Sequence, residues 1–318
     1  MYNQYLSKPF PNEHLLSVLA RWFNHTGRND FLVTAKLISN NVNALSPAAV
    51  WRRVYWDISR QFVDNLGWDA IVKQHTLVPY YAPFLTHQDR ALLLTGDEEL
   101  SQTRIKPAQQ KLIKQAHNWR WCSECAEEDY ENYGTPYWHT YHQLPTALTC
   151  YKHNSLLHSF CPKCNFSYQD FQKHWLPPIN RKCPSCSKQI DHSSIYQSPL
   201  LHWLSSASYH LQENGLRIQN AAILKVMKEK IGYEALPSNI SVSIRNELSQ
   251  LQKEFQDWLP NDVVDHFYSK PEQHILASTN KVLKITSIVY REHSAPPLSI
   301  LLILKFLGLE AATSELLT

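Results

Sequence analysis

Glycine is scarce in this chain, seven in 318 residues, and methionine is scarcer still at two. So few glycines exclude a phosphate-cradling loop. None of Gly27, Gly67, Gly96, Gly134, Gly215, Gly232 or Gly308 is followed by the Lys-Ser or Lys-Thr of a P-loop. No apolar run approaches the roughly 18 residues of a membrane span, and the opening MYNQYLSKPFPNEH lacks the basic segment and apolar stretch of a secretory signal. A cytoplasmic location is expected. Catalytic zinc patterns are missing too: there is no HExxH, and no HxE precedes a PCxxC pair, so no catalytic residue is nominated.

Cysteine is also rare, and every one is placed. All seven fall into four pairs with two intervening residues: Cys122/Cys125, Cys150/His153, Cys161/Cys164 and Cys183/Cys186. An odd count in a cytoplasmic chain argues against a disulfide framework, and two-residue spacing suits a tetrahedral Zn2+. A single such pair also suits a redox dithiol, but four pairs, one ending in histidine, favour metal. Eight ligands make two closed structural zinc sites and leave no position open for water or substrate. Consecutive pairing gives one site of three cysteines with a histidine and one all-cysteine site. An interleaved arrangement uses the same residues, and the 24 residues between Cys125 and Cys150 favour the consecutive one as a ribbon-like finger.

The apolar fraction is 43% with 12% aromatics, which marks a globular chain long enough for two or three domains. Apolar residues recur at helical spacing on both sides of the metal pairs. Expected helices include one after Asn12 ending at Gly27, a short one over 31–39, and one over 47–63 with Ser46 as cap and Pro47 at its first position. A connector at Pro79–Phe84 breaks the pattern, and helical character returns at 89–94 and 102–117. After the metal pairs come helices over 199–213, 218–231, 243–258, 271–291 and 298–307, the last apolar enough to be core. The fold expected is mainly α with small zinc-stabilised β/loop modules. Its parts are an N-terminal helix-turn-helix domain over 1–117, a tandem zinc-finger region over 118–192 and a C-terminal helical, helix-turn-helix-like domain over 193–318.

Charge is uneven. Residues 1–120 hold 14 Lys/Arg against 9 Asp/Glu, while residues 191–318 hold 11 against 13. A basic N-terminal third is compatible with phosphate contacts and equally with an ordinary solvated surface. Arg52, Arg53 and Arg60 on the helix over 47–63 fit the second helix of a helix-turn-helix, and Arg120, Lys152, Lys163, Arg181 and Lys182 flank the metal turns. These eight are the candidate DNA-binding residues. An HNH-type nuclease is the enzyme alternative, but His153 is needed as a zinc ligand and no acidic residue falls in 132–169 to hold a second ion.

Arg120 to Leu157 reads RWCSECAEEDYENYGTPYWHTYHQLPTALTCYKHNSLL. It resembles the TniQ family signature: a first CxxC, Tyr133-Gly134, Tyr137-Trp138-His139, His142-Gln143-Leu144-Pro145, then Cys150-x-x-His153. The likeness extends to Pro11–Gly27, and His75-Thr76-Leu77 with Pro79 and Tyr81-Ala82-Pro83-Phe84 resembles the TnsD branch. The resemblance implies a non-enzymatic, bacterial, nucleoid-associated target selector of a Tns-type transposon. Such a protein binds target DNA and recruits the AAA+ ATPase TnsC, which brings in the transposase. The alternative it implies is an adaptor docked on an RNA-guided CRISPR effector complex. Tyr137, Trp138, His139 and His142 are expected as the packing around the first zinc, with contact to bases or phosphate the lesser possibility for the histidines.

Overall fold

The computed structural model describes residues 6–42, 46–106, 118–167, 175–190, 198–237, 239–268, 283–291 and 295–310. Among them the elements are helices and 3-10 turns, joined by isolated antiparallel bridges.

The first helix, α1 (Leu15–Thr26), buries Leu15, Leu16, Leu19, Trp22 and Phe23 as their spacing predicts. Its cap is His14 rather than Asn12: His14 Nδ1 accepts from Leu16 N–H at 3.2 Å. Asn12 is left-handed at φ 55, and its carbonyl accepts from Thr140 N–H at 2.8 Å. The reason is tertiary. Glu13 bridges His139, and His14 N–H donates to the Trp138 carbonyl at 2.9 Å, so the segment before α1 is drawn out as an extended partner of the Tyr-Trp-His stretch.

Beneath it lies a buried ion pair. Glu13 accepts from Arg21 Nη2 at 2.9 Å and Nε at 3.1 Å, from Ser17 Oγ at 3.0 Å and from Phe10 N–H at 2.9 Å. The Arg21 guanidinium also donates to the Lys8 carbonyl and lies 4.0 Å from the Phe10 ring centre.

The next helices differ from the sequence reading. α2 is only Phe31–Ala35, capped by Asp30. The helix expected over 47–63 is instead α3 (Arg53–Ser59), followed after a turn by α4 (Val63–Leu66). Ser46-Pro47 does not start it, because the backbone at Trp51 is claimed by a distant partner. Trp51 takes an extended bridge with Ile105, and its Nε1–H donates to the Leu100 carbonyl at 3.2 Å.

α5 (Trp68–His75) and α6 (Val78–Tyr81) follow, and a 3-10 turn at Ala82–Phe84 makes the expected connector helical after all. Pro79 and Pro83 sit in first turns, where the missing N–H costs nothing. α7 is His87–Thr95. Of the helix expected over 102–117, residues 107–117 lie outside the described residues, and Ile105 is in the bridge to Trp51.

Downstream, α8 (Ser123–Tyr133) rises out of the first ligand pair, where no helix was expected, and stops at left-handed Gly134. α9 (Pro199–Asn214), α10 (Asn220–Ile231) and α11 (Val242–Trp258, capped by Ser241) match the sequence reading to within two residues. α12 (Asn261–Phe267) and the helices Ile285–Tyr290 and Pro297–Phe306 complete the described chain. Residues 271–282 of the expected 271–291 helix fall outside it.

By contacts the chain divides into two compact units. One unit holds the N-terminal helices to Tyr80, His87–Lys106 and everything from the metal region to Glu213. α9 belongs to it: Ser205 Oγ accepts from Leu148 N–H at 2.9 Å, Ser208 Oγ meets Thr146 Oγ1 at 2.5 Å, and Gln212 Nε2 donates to the Thr76 carbonyl at 2.9 Å. The other unit is built on α10–α12 and the last two helices. Leu298 and Ile300–Leu304 are buried there, and Phe306 packs on Phe255 with ring centres 5.2 Å apart.

Candidate metal centres

The four ligand pairs gather as consecutive pairs. Cys122, Cys125, Cys150 and His153 form one cluster and Cys161, Cys164, Cys183 and Cys186 a second, with the donor atoms of each within 4.8 Å of one another. The distances allow a direct test of fit to zinc. Zn–S bonds of about 2.3 Å and Zn–N bonds of about 2.0–2.1 Å, set tetrahedrally, give ligand–ligand edges of about 3.8 Å for S···S and about 3.6 Å for S···N. The first cluster has Cys125 Sγ–Cys150 Sγ at 3.6 Å, and His153 Nδ1 at 3.5, 3.4 and 3.7 Å from the sulfurs of Cys122, Cys125 and Cys150. The second has Cys161–Cys186 at 3.8 Å and Cys164–Cys183 at 3.6 Å. Both sets fit a zinc ion, and all seven thiols are unbridged.

Two local devices deliver these ligands. The first pair uses a helix: Cys122 is the N-cap of α8 and Cys125 lies in its first turn, where the partial positive charge of the helix end favours thiolates. The other three use one hairpin, repeated. Bridges Thr149↔Leu156, Phe160↔Ser167 and Lys182↔Gln189 close around Cys150, Cys161 and Cys183. In each, the cysteine N–H donates five residues ahead, to Ser155, Phe166 or Lys188, and its carbonyl accepts from the residue four ahead, Asn154, Asn165 or Ser187. That fourth residue is left-handed every time, at φ 56, 56 and 57. Asparagine bears this conformation with less cost than most residues, and the ligand side chains on either side of the turn then converge.

Electrostatics point the same way. Bonds from Cys122 and then Cys125 pull the Cys150 thiol far below its ordinary value, while bonds from Cys122 and Cys150 push Cys125 far above it. Three thiols so close cannot all ionise by themselves, and a divalent cation relieves that conflict. His153 is oriented for ligation: its Nε2 faces Glu128 Oε1 at 2.9 Å, which leaves Nδ1 to the sulfurs.

α8 supplies the surrounding carboxylates. Glu128 also pairs with Lys152, Glu127 receives Arg181 through Nε and Nη2, both at 3.0 Å, and Glu124 accepts from Ser155 Oγ at 3.1 Å. One helix thereby touches the hairpins of both clusters. Sequence reasoning missed these residues; the run Glu124-x-x-Glu127-Glu128 right after a capping position was the available signal.

The signature between the pairs is interior. His139 and His142 are 5% and 1% exposed, which fits the packing role expected of them. Asp129 Oδ2 holds His139 Nε2 at 2.8 Å. Gln143 frames the Arg120 peptide, accepting from its N–H at 3.1 Å and donating to its carbonyl at 2.9 Å.

The expected DNA contacts scatter. Arg120 is 6% exposed, and its guanidinium donates to the carbonyls of Leu144 and Ala147. Arg181 and Lys152 lie at the surface but are engaged by Glu127 and Glu128. Arg52 is half-buried at the start of α3, whereas Arg53, Arg60, Lys163 and Lys182 are exposed. Arg53 Nε donates to the Gln102 carbonyl at 2.8 Å.

Fold and site together define a helical protein with two cysteine-rich centres of the closed, structural kind. Residues 5–157 match the family model TniQ, so the chain carries a TniQ domain over that stretch. This is a family of non-catalytic, transposition-associated adaptor and targeting domains. No curated protein matches the chain. The matched stretch ends after the first cluster and before the second. No described helix is long and apolar enough to cross a membrane.

Proposed function

We propose that this chain is a target-selection adaptor of a Tns-type transposon, which marks the insertion site and recruits the AAA+ ATPase TnsC and, through it, the transposase. Two structural Zn2+ ions hold its first compact unit together. The TniQ domain supports the adaptor role, and the closed ligand sets leave no metal position for substrate.

Between the two routes to a target, one observation favours docking on another complex, such as an RNA-guided CRISPR effector. Of the five cations flanking the metal turns, Arg120 is buried and Arg181 and Lys152 are paired with the α8 glutamates. A surface neutralised by its own carboxylates is a poor track for DNA phosphates. Direct sequence reading is the second route, supported by exposed Arg53 and Arg60, which open and close α3 two turns apart and so share a face, and by Lys163 and Lys182.

Fluorescence anisotropy on target and scrambled duplexes at two salt concentrations, run beside co-elution with the effector and ATPase encoded nearby, separates them. The adaptor route expects co-elution and weak binding that is equal for the two duplexes. Tight, sequence-dependent binding by the isolated chain would overturn it in favour of direct reading. Magnesium-dependent nicking would overturn both.

A further inference from the structure

We propose that His142 is an outer partner of the first metal centre, donating its Nε2–H to the ligand sulfur of Cys150 and, more distantly, to that of Cys125. Its Nε2 lies 3.4 Å from Cys150 Sγ and 3.9 Å from Cys125 Sγ. Sulfur is a large acceptor, so the shorter distance is a full hydrogen bond and the longer one a weaker branch of it.

The chemistry of the cluster asks for such a donor. Three thiolates and a neutral imidazole around Zn2+ carry a net charge of −1, and Cys122, Cys125 and Cys150 are all buried. Cys150 accepts from the backbone N–H groups of Lys152 and His153, each at 3.4 Å, and Cys122 faces Ser155 Oγ at 3.3 Å. Among the described residues Cys125 has neither kind of donor, and His142 supplies what it lacks. The second cluster needs no equivalent, since Cys164 is exposed and Cys186 half-exposed to water.

His142 is a donor rather than a fifth ligand. His153 Nδ1 sits within 3.7 Å of all three sulfurs, whereas His142 Nε2 approaches only two. Cys125, His139 and His142 do form a third close group of possible ligands, but His139 gives its Nε2 to Asp129. Packing holds the ring in place: His139 lies 4.8 Å from it and Tyr151 5.7 Å, centre to centre. The work of the His-Gln-Leu-Pro stretch in this chain is then divided, with His142 serving the metal and Gln143 the backbone of Arg120.

The test uses the full chain loaded with zinc, and with cobalt(II) as an optical probe. His142→Phe keeps a ring and removes the donor, while His142→Gln offers an amide N–H in its place. The expected result for His142→Phe is two zinc ions still bound, about 10–100-fold weaker retention of one of them against a chelator, and a sulfur-to-cobalt charge-transfer band moved to lower energy. His142→Gln should recover part of both. Unchanged retention and an unchanged band overturn the proposal, as does a fall from two ions to one, which would make His142 a ligand. If neither variant folds, imidazole nitrogen shifts of the zinc-loaded wild-type protein decide: a protonated Nε2 supports the proposal, and a bare Nε2 overturns it.

Discussion

Replacing Glu13 with alanine should be among the most damaging single changes in the first unit, although Glu13 lies far from either metal centre in sequence. Both partners of the Glu13–Arg21 pair are out of water, with side chains 0% and 3% exposed. Deleting the carboxylate leaves the Arg21 guanidinium only the Lys8 carbonyl and the face of Phe10. Breaking one side of a buried pair costs about 3–5 kcal/mol, chiefly through the charge left behind. The Phe10 N–H and Ser17 hydroxyl lose their acceptor as well, at about 1 kcal/mol each before relaxation. A loss of about 5–7 kcal/mol before relaxation is expected, comparable with the whole stability of a marginal domain. Urea unfolding of the zinc-loaded chain, followed by tryptophan fluorescence, measures it. The paired change Glu13→Leu with Arg21→Met removes both charges and should cost less than Glu13→Ala alone. Two results would refute the reasoning: a cost below about 1 kcal/mol for Glu13→Ala, or a double variant as weak as the sum of its parts.

Acid should destabilise the first unit through His14, whose complete burial pushes its pKa from 6.5 down to about 3. Folded His14 stays neutral while the unfolded chain takes up a proton near pH 6.5. The stabilisation is therefore complete above pH 6.5 and drains away as pH falls from 6.5 towards 3, with about 2 kcal/mol lost by pH 5. Replacing His14 with Gln should flatten that slope in urea titrations between pH 5 and 7. Cys150→Ser and Cys183→Ser should each reduce bound zinc by one ion per chain by elemental analysis, and Cys150→Ser alone should also loosen the packing of Trp121 and Trp138, seen as a red-shifted emission. Gly96→Ala places a methyl group 2.7–2.9 Å from the Trp68 ring at a φ of +67°, and a melting-temperature drop corresponding to about 1–3 kcal/mol is expected.

The ligand pairs were legible because tetrahedral zinc imposes their spacing locally, whereas that spacing left consecutive and interleaved pairing open and only the 24 residues between Cys125 and Cys150 favoured the consecutive clusters that form. Helices whose signals lie within their own span were legible as well, such as α11 with its Ser241 cap and α10 ending at Gly232. What stayed hidden was decided by distant partners. Ser46-Pro47 reads as a helix start, but burial of Trp51 against Leu100 and Ile105 draws the chain out until Arg53. Asn12 reads as a cap, but residues 138–140 claim its neighbourhood. Arg120 reads as a surface cation beside a metal turn, and only the fold reveals the two carbonyls, more than 20 residues downstream, that take its guanidinium.

The left-handed residue after each hairpin's second ligand has a consequence for how the metal is held. Ser187 carries the left-handed strain of about 1–2 kcal/mol of an ordinary residue, Asn154 and Asn165 carry less, and in each hairpin two backbone hydrogen bonds to the cysteine offset it. The residue at each turn therefore sets how readily the hairpin closes and brings its two ligands together before the ion arrives. Glycine at these positions would lower the cost of that closure and a β-branched residue would raise it. Residues that never touch the metal thus share in deciding how well these eight ligands are prearranged for it.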